Sequence, residues 1–187
     1  MHEIIQLKII LKYSKPPIWR RVLIHKDATF HDLHNVIQSV MGWENCHLWE
    51  FDFKNAKIGL SNEEMQDFSF NEVEIIDAEE ITLGSLISKP KEKINYEYDF
   101  GDGWIHEIIV EKFLPKKEGT AYPICVKGKL NGPPEDCGGI WGYYNFLETI
   151  KDKTHPDHKD MLEWIGEEYD EKYFDLEEIN DDLIGLH

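Results

Sequence analysis

The chain has 187 residues, of which 41% are hydrophobic and 12% aromatic, a composition typical of a folded globular protein and unlike a disordered segment. Asp and Glu number 37 against 20 Lys and Arg, which gives a formal net charge of -17. This charge disfavours direct binding to a nucleic-acid backbone, and no apolar run is long enough to span a membrane.

The length fits one domain, which we predict to cover residues 1–187. Within it, residues 1–115 are expected to form a β-rich core with one long helix, and residues 116–187 a loop followed by helices. Three cysteines, Cys46, Cys125 and Cys137, cannot all pair within one chain, and the N-terminus lacks a signal-peptide pattern. We therefore expect a reduced, cytoplasmic protein, while the roles of the cysteines and the oligomeric state stay open.

The first elements predicted are a hairpin, a helix and a strand. Residues 4–13 and 18–24 have the pattern of strands, and the segment between them contains two prolines. Thr29 and Asp32 resemble a helix N-terminus, and apolar residues then recur at helical spacing until Gly42. Residues 48–53 alternate as a strand does, with Trp49, Phe51 and Phe53 on one face.

The middle of the chain predicts a loop, a helical turn and a second hairpin. Residues 54–77 are acidic and irregular, which indicates a surface loop, and Thr82 begins a short helix over 83–87. Apolar and aromatic residues alternate over 94–100 and again over 104–110. The segment Gly101-Asp102-Gly103 between them supplies the reversal, because glycine adopts positive φ at little cost.

After Pro115 we predict a loop through residues 122–134 and then three helices, over 143–150, 159–165 and 176–183. Gly166 should end the second helix and Asp175 should cap the third. Met161 and Trp164 have ordinary core spacing within the second. The whole order predicts an α+β fold, in which a mixed or antiparallel sheet of β-grasp-like order (hairpin, helix, strands) is covered by the C-terminal helices.

Four candidate site residues, Asp99, Asp102, Trp104 and His106, lie in the second hairpin. The two carboxylates could share a cation, or act as an acid–base pair with His106. In the structural interpretation, Asp99 and Asp102 instead accept hydrogen bonds from turn amides and His106 packs beside Trp104.

Three further candidates, Glu135, Asp136 and Cys137, lie in a loop of prolines and glycines over 133–139 that leads into a helix. Free amides at a helix N-terminus bind anions and would depress the pKa of a thiol. Glu135 and Asp136 themselves lie where such an anion would bind, however. No histidine accompanies Cys137 at the spacing of a recognisable catalytic motif.

Metal ligands are present without the spacing of a known site. Cys125, Cys137, His106, His155 and His158 are soft or borderline ligands, but they contain no close pair such as C-x-x-C. We accordingly predict no metal and no cofactor.

Several motifs together resemble the plasmid pRiA4b ORF-3-like family over nearly the whole chain. They are Pro-Ile-Trp-Arg-Arg at 17–21, Thr-Phe-His-Asp-Leu at 29–33, Met-Gly-Trp at 41–43, His-Leu-Trp-Glu-Phe at 47–51, Tyr-Glu-Tyr-Asp-Phe-Gly-Asp-Gly-Trp at 96–104 with His106, Pro-Pro-Glu-Asp-Cys-Gly-Gly at 133–139, and His158 with Trp-Ile-Gly at 164–166. The resemblance implies an association with plasmids and insertion elements but assigns no activity. Relatives often carry cysteine directly before Pro-Pro-Glu-Asp, whereas this chain has Gly132.

The leading functional hypothesis is a soluble binding or adaptor protein, in which the loops over 99–106 and 133–139 form one concave site for a peptide or small polar ligand. The alternative is a hydrolase-like enzyme, metal-assisted or acid–base, that uses Asp99, Asp102 and His106 with Cys137 or Glu135. A third possibility is a structural partner in a mobile-element complex, anchored by exposed Trp or Tyr. The sequence leaves open whether the protein is an enzyme.

Overall fold

The computed structural model describes residues 2–60, 75–166 and 169–186. Within these ranges eight strands form one sheet and five helices accompany it. The strands are β1 (His2–Leu11), β2 (Trp19–His25), β3 (Trp49–Phe53), β4 (Ala56–Gly59), β5 (Ile75–Asp77), β6 (Lys93–Tyr98), β7 (Trp104–Pro115) and β8 (Ile124–Lys129). The helices are α1 (Phe30–Met41), α2 (Leu83–Leu86), α3 (Gly139–Lys151), α4 (His158–Ile165) and α5 (Leu176–Ile184). No helix in these ranges is both long and apolar enough to cross a bilayer.

The sheet has the strand order β5-β4-β3-β6-β7-β1-β2-β8. Every neighbouring pair is antiparallel except β4 and β5, which run parallel. The predicted mixed sheet and α+β class are therefore confirmed, as are both hairpins, β1–β2 and β6–β7.

Helix α1 begins and ends where its sequence signals predicted. The Thr29 hydroxyl accepts a hydrogen bond from the Asp32 amide, and the Asp32 carboxylate accepts one from the Thr29 amide, so a reciprocal capping box closes the first turn. Gly42 ends the helix in the left-handed conformation, at φ 78°, where a residue with a side chain would be strained.

One face of the sheet is buried and carries the core. Burial alternates along β2, β6 and β7, as expected for strands with one face packed against helices. The apolar face of α1 joins these strands in one cluster of buried residues. Arg20 lies in this interior and compensates for its burial by donating to the backbone oxygens of Trp19, Val40 and Lys129.

Three sequence-based predictions need correction. Residues 56–59 and 75–77 of the expected 54–77 loop form β4 and the edge strand β5, while residues 61–74 lie outside the described ranges. Residues 124–129 of the second expected loop form β8, which pairs with β2. Strands β4 and β5 are short and β8 lacks strict alternation, so their local sequence patterns do not identify them as strands. They form because a neighbouring strand pairs with each of them. Trp164, expected in the core, is 47% exposed.

Gly132 brings the 130–134 segment against the end of α1. A Cβ atom at this position would lie 1.9 Å from the Met41 carbonyl oxygen, so no side chain fits here without a shift of the backbone. The Gly132 carbonyl accepts a hydrogen bond from the Tyr169 hydroxyl at 2.8 Å, which fixes the segment from its other side. The presence of glycine at this position therefore has a steric basis in this chain.

Replacing Gly132 by alanine should destabilise the protein by at least about 2 kcal/mol, because the new methyl group overlaps a backbone oxygen that α1 holds in place. The free energy of unfolding from urea denaturation measures the effect. The matched control is Gly185→Ala at the end of α5, where φ is -69° and the nearest atom lies 3.3 Å away, and we expect a change within about 0.5 kcal/mol. Equal effects of the two substitutions would refute the steric account.

Candidate functional site

The register of the sheet brings two chain segments to the same edge. Trp49 at the start of β3 pairs with Tyr98 at the end of β6, so the residues before Trp49 and after Tyr98 emerge side by side. The Asp99 amide donates to the Leu48 carbonyl at 2.9 Å and extends this contact beyond the ladder. His47 and Asp99, which are 52 positions apart in the chain, therefore become neighbours.

The turn of the β6–β7 hairpin orients Asp99. Asp99 and Gly103 both have positive φ, 55° and 66°, and the Gly103 amide donates to the Asp99 carbonyl. One carboxylate oxygen of Asp99 accepts from the Gly101 amide at 2.9 Å, which leaves the other oxygen directed toward His47. Asp tolerates the left-handed conformation better than most residues, so the same residue closes the turn and presents a carboxylate.

A pair of glycines joins the 133–139 loop to this hairpin. The Gly138 amide donates to an Asp102 carboxylate oxygen at 3.1 Å. A Cβ atom on Gly139 would lie 2.1 Å from the Asp102 carbonyl oxygen, and both glycines have positive φ. Only residues without a side chain allow α3 to begin this close to the turn. The two loops that the sequence singled out therefore lie in contact.

The Tyr98 hydroxyl connects three segments at this junction. It accepts hydrogen bonds from the Cys46 and His47 amides and donates one to the Glu135 carboxylate. The second oxygen of Glu135 accepts from the Glu44 amide at 2.7 Å. Burial and the Glu135 carboxylate both hold the pKa of Tyr98 well above its usual value, so the hydroxyl keeps the proton that it donates.

A network of buried polar side chains contacts the 43–47 loop on its core-facing side. His34 accepts at Nδ1 from the Tyr96 hydroxyl and donates from Nε2 to the Asn45 side-chain oxygen, both at 2.7 Å, since that oxygen can only accept. Gln38 completes the network by donating to Tyr96 at 3.0 Å and accepting from the Asn45 amide at 3.1 Å. His34 also stacks on Trp49, with ring centroids 3.9 Å apart.

His47, Asp99 and Asp136 form a cluster at the junction. One nitrogen or oxygen ligand atom from each lies within 4.8 Å of the others. Nε2 of His47 is 3.0 Å from an Asp136 oxygen and 3.8 Å from an Asp99 oxygen. Asp136 also has positive φ, 56°, and its side chain is 68% exposed, whereas the Asp99 side chain is 13% exposed. The cluster therefore opens to solvent on the side of Asp136.

A cavity of about 350 Å³ begins at Asp136 and extends between α3 and α4. Its lining combines carboxylates with apolar and aromatic side chains and consists of Asp136, Cys137, Gly142, Asn145, Phe146, Asp160, Met161 and Trp164. Trp164 meets Phe146 edge to face, with centroids 5.9 Å apart. The exposed Trp141 lies beside Gly142 and one helical turn before Asn145.

The seven sequence-predicted site residues divide into two groups. Asp99, Asp102, Glu135, Asp136 and Cys137 lie at or beside the loop junction. Trp104 and His106 lie in the core instead, with 1% and 0% exposure, and His106 donates from Nδ1 to the Trp104 carbonyl at 3.1 Å. A ligand at the surface would not contact these two side chains.

The electrostatics of Cys137 oppose a reactive thiolate. Burial, reinforced by the Asp102 and Asp136 carboxylates, raises the pKa of the Cys137 thiol to about 12. The depression of this pKa that a helix N-terminus could cause, which the sequence already argued against through Glu135 and Asp136, is therefore absent. Cys137 stays protonated at neutral pH and is a poor nucleophile.

His47 and Tyr98 are residues of the candidate site that the sequence-based reasoning did not select. His47 stands alone, without a neighbouring ligand in the sequence, and its partners come from two distant loops. Tyr98 follows the strand alternation and was interpreted as core only. The motif His-Leu-Trp-Glu-Phe at 47–51 was the available signal, since it begins with a polar residue directly before a strand.

The two buried histidines should make stability depend on pH. Burial lowers the pKa of both His34 and His106 to about 3, whereas an unfolded histidine titrates near about 6.5. Below pH ~6.5 the unfolded chain therefore binds protons that the folded chain excludes, and the stability present above that pH is lost on acidification. Between pH 7 and 5.5 we expect the two residues to lower the free energy of unfolding by about 2 to 3 kcal/mol.

Urea denaturation across this pH range measures the slope of the free energy of unfolding against pH. This slope is independent of the absolute stability of a variant. His106→Gln should remove about half of it. An unaltered slope in His106→Gln would show that this imidazole does not cause the effect.

Removing the Tyr98 hydroxyl should destabilise the site and the protein together. Tyr98→Phe leaves two amides and the Glu135 carboxylate without their shared partner, so we expect a loss of about 2 to 3 kcal/mol in the free energy of unfolding. Tyr173→Phe is the matched control, because that exposed hydroxyl also donates to a glutamate, Glu178, and its loss should change the stability far less than the loss of the Tyr98 hydroxyl. Similar losses for the two variants would contradict the role given to Tyr98.

Comparisons with known proteins match this chain over nearly its full length. The uncharacterized protein y4hQ of Sinorhizobium fredii (strain NBRC 101917 / NGR234) is 37% identical over 188 residues, which cover 98% of this chain and 93% of that protein. The crystal structure of protein of unknown function MM3350 from Methanosarcina mazei Go1 is also 37% identical, with a TM-score of 0.83, and the match covers 94% of this chain and 96% of that one.

The family model described as plasmid pRiA4b ORF-3-like protein matches residues 3–178. This range includes both loops of the site and the segment that carries His47. The fold, the two relatives and the family model agree, and the chain belongs to the plasmid pRiA4b ORF-3-like family.

Proposed function

We propose that the protein is a binding protein whose cleft between α3 and α4 receives a basic side chain of a partner peptide. The observation that carries the proposal is the composition of the cavity wall. Two carboxylates, Asp136 and Asp160, stand beside an apolar surface formed by Phe146, Met161 and Trp164. A lysine or arginine side chain matches this combination, because it has an apolar stem and a cationic end.

The indole of Trp164 adds a specific attraction for a cation. A cation over the face of an accessible tryptophan gains about 0.5 to 2 kcal/mol, and the gain increases as water is excluded. Trp164 is 47% exposed and its edge contact with Phe146 holds the ring in one orientation. Part of the ring therefore remains free for a ligand.

The exposed Trp141 supports a protein partner. Its side chain is 81% exposed beside the cavity, an unusual position for the largest aromatic residue in a soluble protein. Tryptophan is enriched among the residues that dominate binding energy at protein interfaces. The net charge of -17 further favours approach of a basic partner over an acidic one.

The acid–base form of the enzyme alternative has less support. His106 is buried in the core, and burial lowers its pKa to about 3, so it is a poor proton carrier at neutral pH. Cys137 is protonated, for the reasons given above. A peptide-binding role requires neither residue to react.

The proposal is tested with decapeptide libraries of randomised flanks and a fixed central residue, which is Arg, Lys, norleucine or Glu. We expect the full-length protein to retain the Arg and Lys libraries above the norleucine library, which lacks only the charge, and to exclude the Glu library. Equal retention of norleucine and the basic residues would overturn the proposal.

Trp164→Ala should weaken binding of a selected Arg peptide by about 5- to 30-fold, since the cation–π contact and part of the apolar wall are lost. Fluorescence anisotropy of the labelled peptide measures the affinity. Leu162→Ala is the matched control, because Leu162 is 39% exposed on the same helix and does not line the cavity. Comparable losses in both variants would place the peptide elsewhere on α4.

A further inference from the structure

We propose that His47, Asp99 and Asp136 bind one divalent transition-metal ion at the loop junction. The three side chains come from the 43–47 loop, the β6–β7 turn and the loop before α3. They offer one imidazole nitrogen and two carboxylate oxygens, a donor set that suits Mn²⁺, Fe²⁺ or Zn²⁺. The cluster shares Asp136 with the peptide cleft, whereas His47 and Asp99 do not line that cleft.

The spacing of the donor atoms fits a shared ion. Donors at about 2.1 Å from a metal are separated from one another by about 3 to 3.5 Å in octahedral or tetrahedral geometry. His47 Nε2 lies 3.0 Å from the Asp136 oxygen and 3.8 Å from the Asp99 oxygen, and the whole set falls within 4.8 Å. Small side-chain rotations therefore suffice to place all three around one ion.

The surroundings of Nε2 point to a ligand. This atom has almost no solvent-accessible surface, and among the described residues it has no aligned hydrogen-bond partner, although two carboxylate oxygens are near. Burying an imidazole nitrogen without an aligned hydrogen-bond donor or acceptor costs free energy. A cation between the nitrogen and the two oxygens satisfies all three groups at once.

The local charge favours a divalent cation. In the part of the chain that the structure describes, neither Asp99 nor Asp136 lies within ion-pair distance of a lysine or arginine. Asp102 and Glu135 add carboxylates close by, and each is already held by hydrogen bonds from protein groups. The two aspartates of the cluster therefore keep their charge available for an ion.

The backbone around each ligand is fixed before a metal arrives. The Tyr98 hydroxyl accepts a hydrogen bond from the His47 amide, and the Gly101 amide donates one to an Asp99 oxygen. In the chain, Asp136 lies between Glu135, which accepts from Tyr98, and the two glycines that contact Asp102. Such positioning by neighbouring groups is a general feature of metal sites. Three protein ligands leave coordination positions for water or for an oxygen of a bound molecule, on the exposed side of Asp136.

The sequence-based prediction of no metal relied on cysteines and close ligand pairs. This cluster contains neither, because its ligands are separated by 52 and 37 positions, from 47 to 99 and from 99 to 136. Calcium and magnesium are weaker candidates than transition metals, since both prefer all-oxygen sites.

The test uses chelator-treated full-length protein and Mn²⁺ alone, which avoids binding to the nearby Cys46 thiol. Loss of the free-ion EPR signal should give one bound Mn²⁺ per chain, and pulsed EPR should detect coupling to an imidazole nitrogen. His47→Ala should abolish that coupling and weaken binding at least about tenfold. The absence of a stoichiometric site in the wild-type protein would overturn the proposal.

Two further variants keep the test decisive if His47→Ala fails to fold. Asp136→Asn alters a largely exposed side chain and should weaken Mn²⁺ binding at least about tenfold without loss of stability. His155→Ala is the matched control, because among the described residues only one carboxylate, that of Asp157 at 3.9 Å, lies within ion-pair distance of His155. Equal binding by Asp136→Asn and the control would show adventitious metal only and would refute the site.

The same experiment separates this inference from the peptide proposal. Trp164→Ala and Asp160→Asn change the cleft but not the cluster, so they should bind Mn²⁺ as the wild-type protein does. A variant that loses peptide binding and keeps Mn²⁺ supports the metal site whatever occupies the cleft. A loss of Mn²⁺ binding in these variants would count against the ligand set proposed here.

Discussion

The junction of the two loops depends on one hydroxyl group. Tyr98 ends β6 with its side chain buried and its oxygen at the loop junction, where it accepts from two amides of the 43–47 loop and donates to Glu135. These bonds determine where His47 and Asp136 lie, since each is adjacent to a residue that Tyr98 holds. The glycine pair before α3 serves the same arrangement by allowing the closest approach of the backbones. The site is therefore a consequence of strand register followed by a few specific hydrogen bonds.

The sequence predicted the elements whose signals are local. The capping residues of α1, the turn of the second hairpin and the glycine after α4 all depend on neighbours within a few positions. Strands β5 and β8 escaped prediction because edge strands are stabilised by pairing with a more distant segment, which no short window contains. Strand β4 pairs locally with β3 across a two-residue turn at 54–55 and escaped because it is only four residues long. The exposure of Trp164 was not predicted for a related reason. Helical spacing indicates which residues share one face of a helix, but not whether another element packs against that face.

The candidate site was predictable in its loops but not in its chemistry. Hairpin and loop residues were recognised by glycines, aspartates and aromatics in unusual combination, and five of the seven selected residues lie at the junction. The histidines illustrate what was missing. His34 and His106 are neutral parts of the core, whereas His47 faces two carboxylates, and the residues adjacent to His47 do not show which carboxylates it faces. Only the long-range pairing of β3 with β6 assigns His47 to the site.

The contact of Gly132 with the end of α1 has an implication for how the family diversifies. A relative that carries cysteine before Pro-Pro-Glu-Asp must accommodate at least a Cβ atom where this chain has a carbonyl oxygen 1.9 Å away. Its loop must then follow a different path from the helix, and the acidic residues three and four positions later would be displaced with the loop. Substituting this one position should therefore be accompanied by compensating changes near the helix end, and the two kinds of relative would form distinct branches with differently shaped sites.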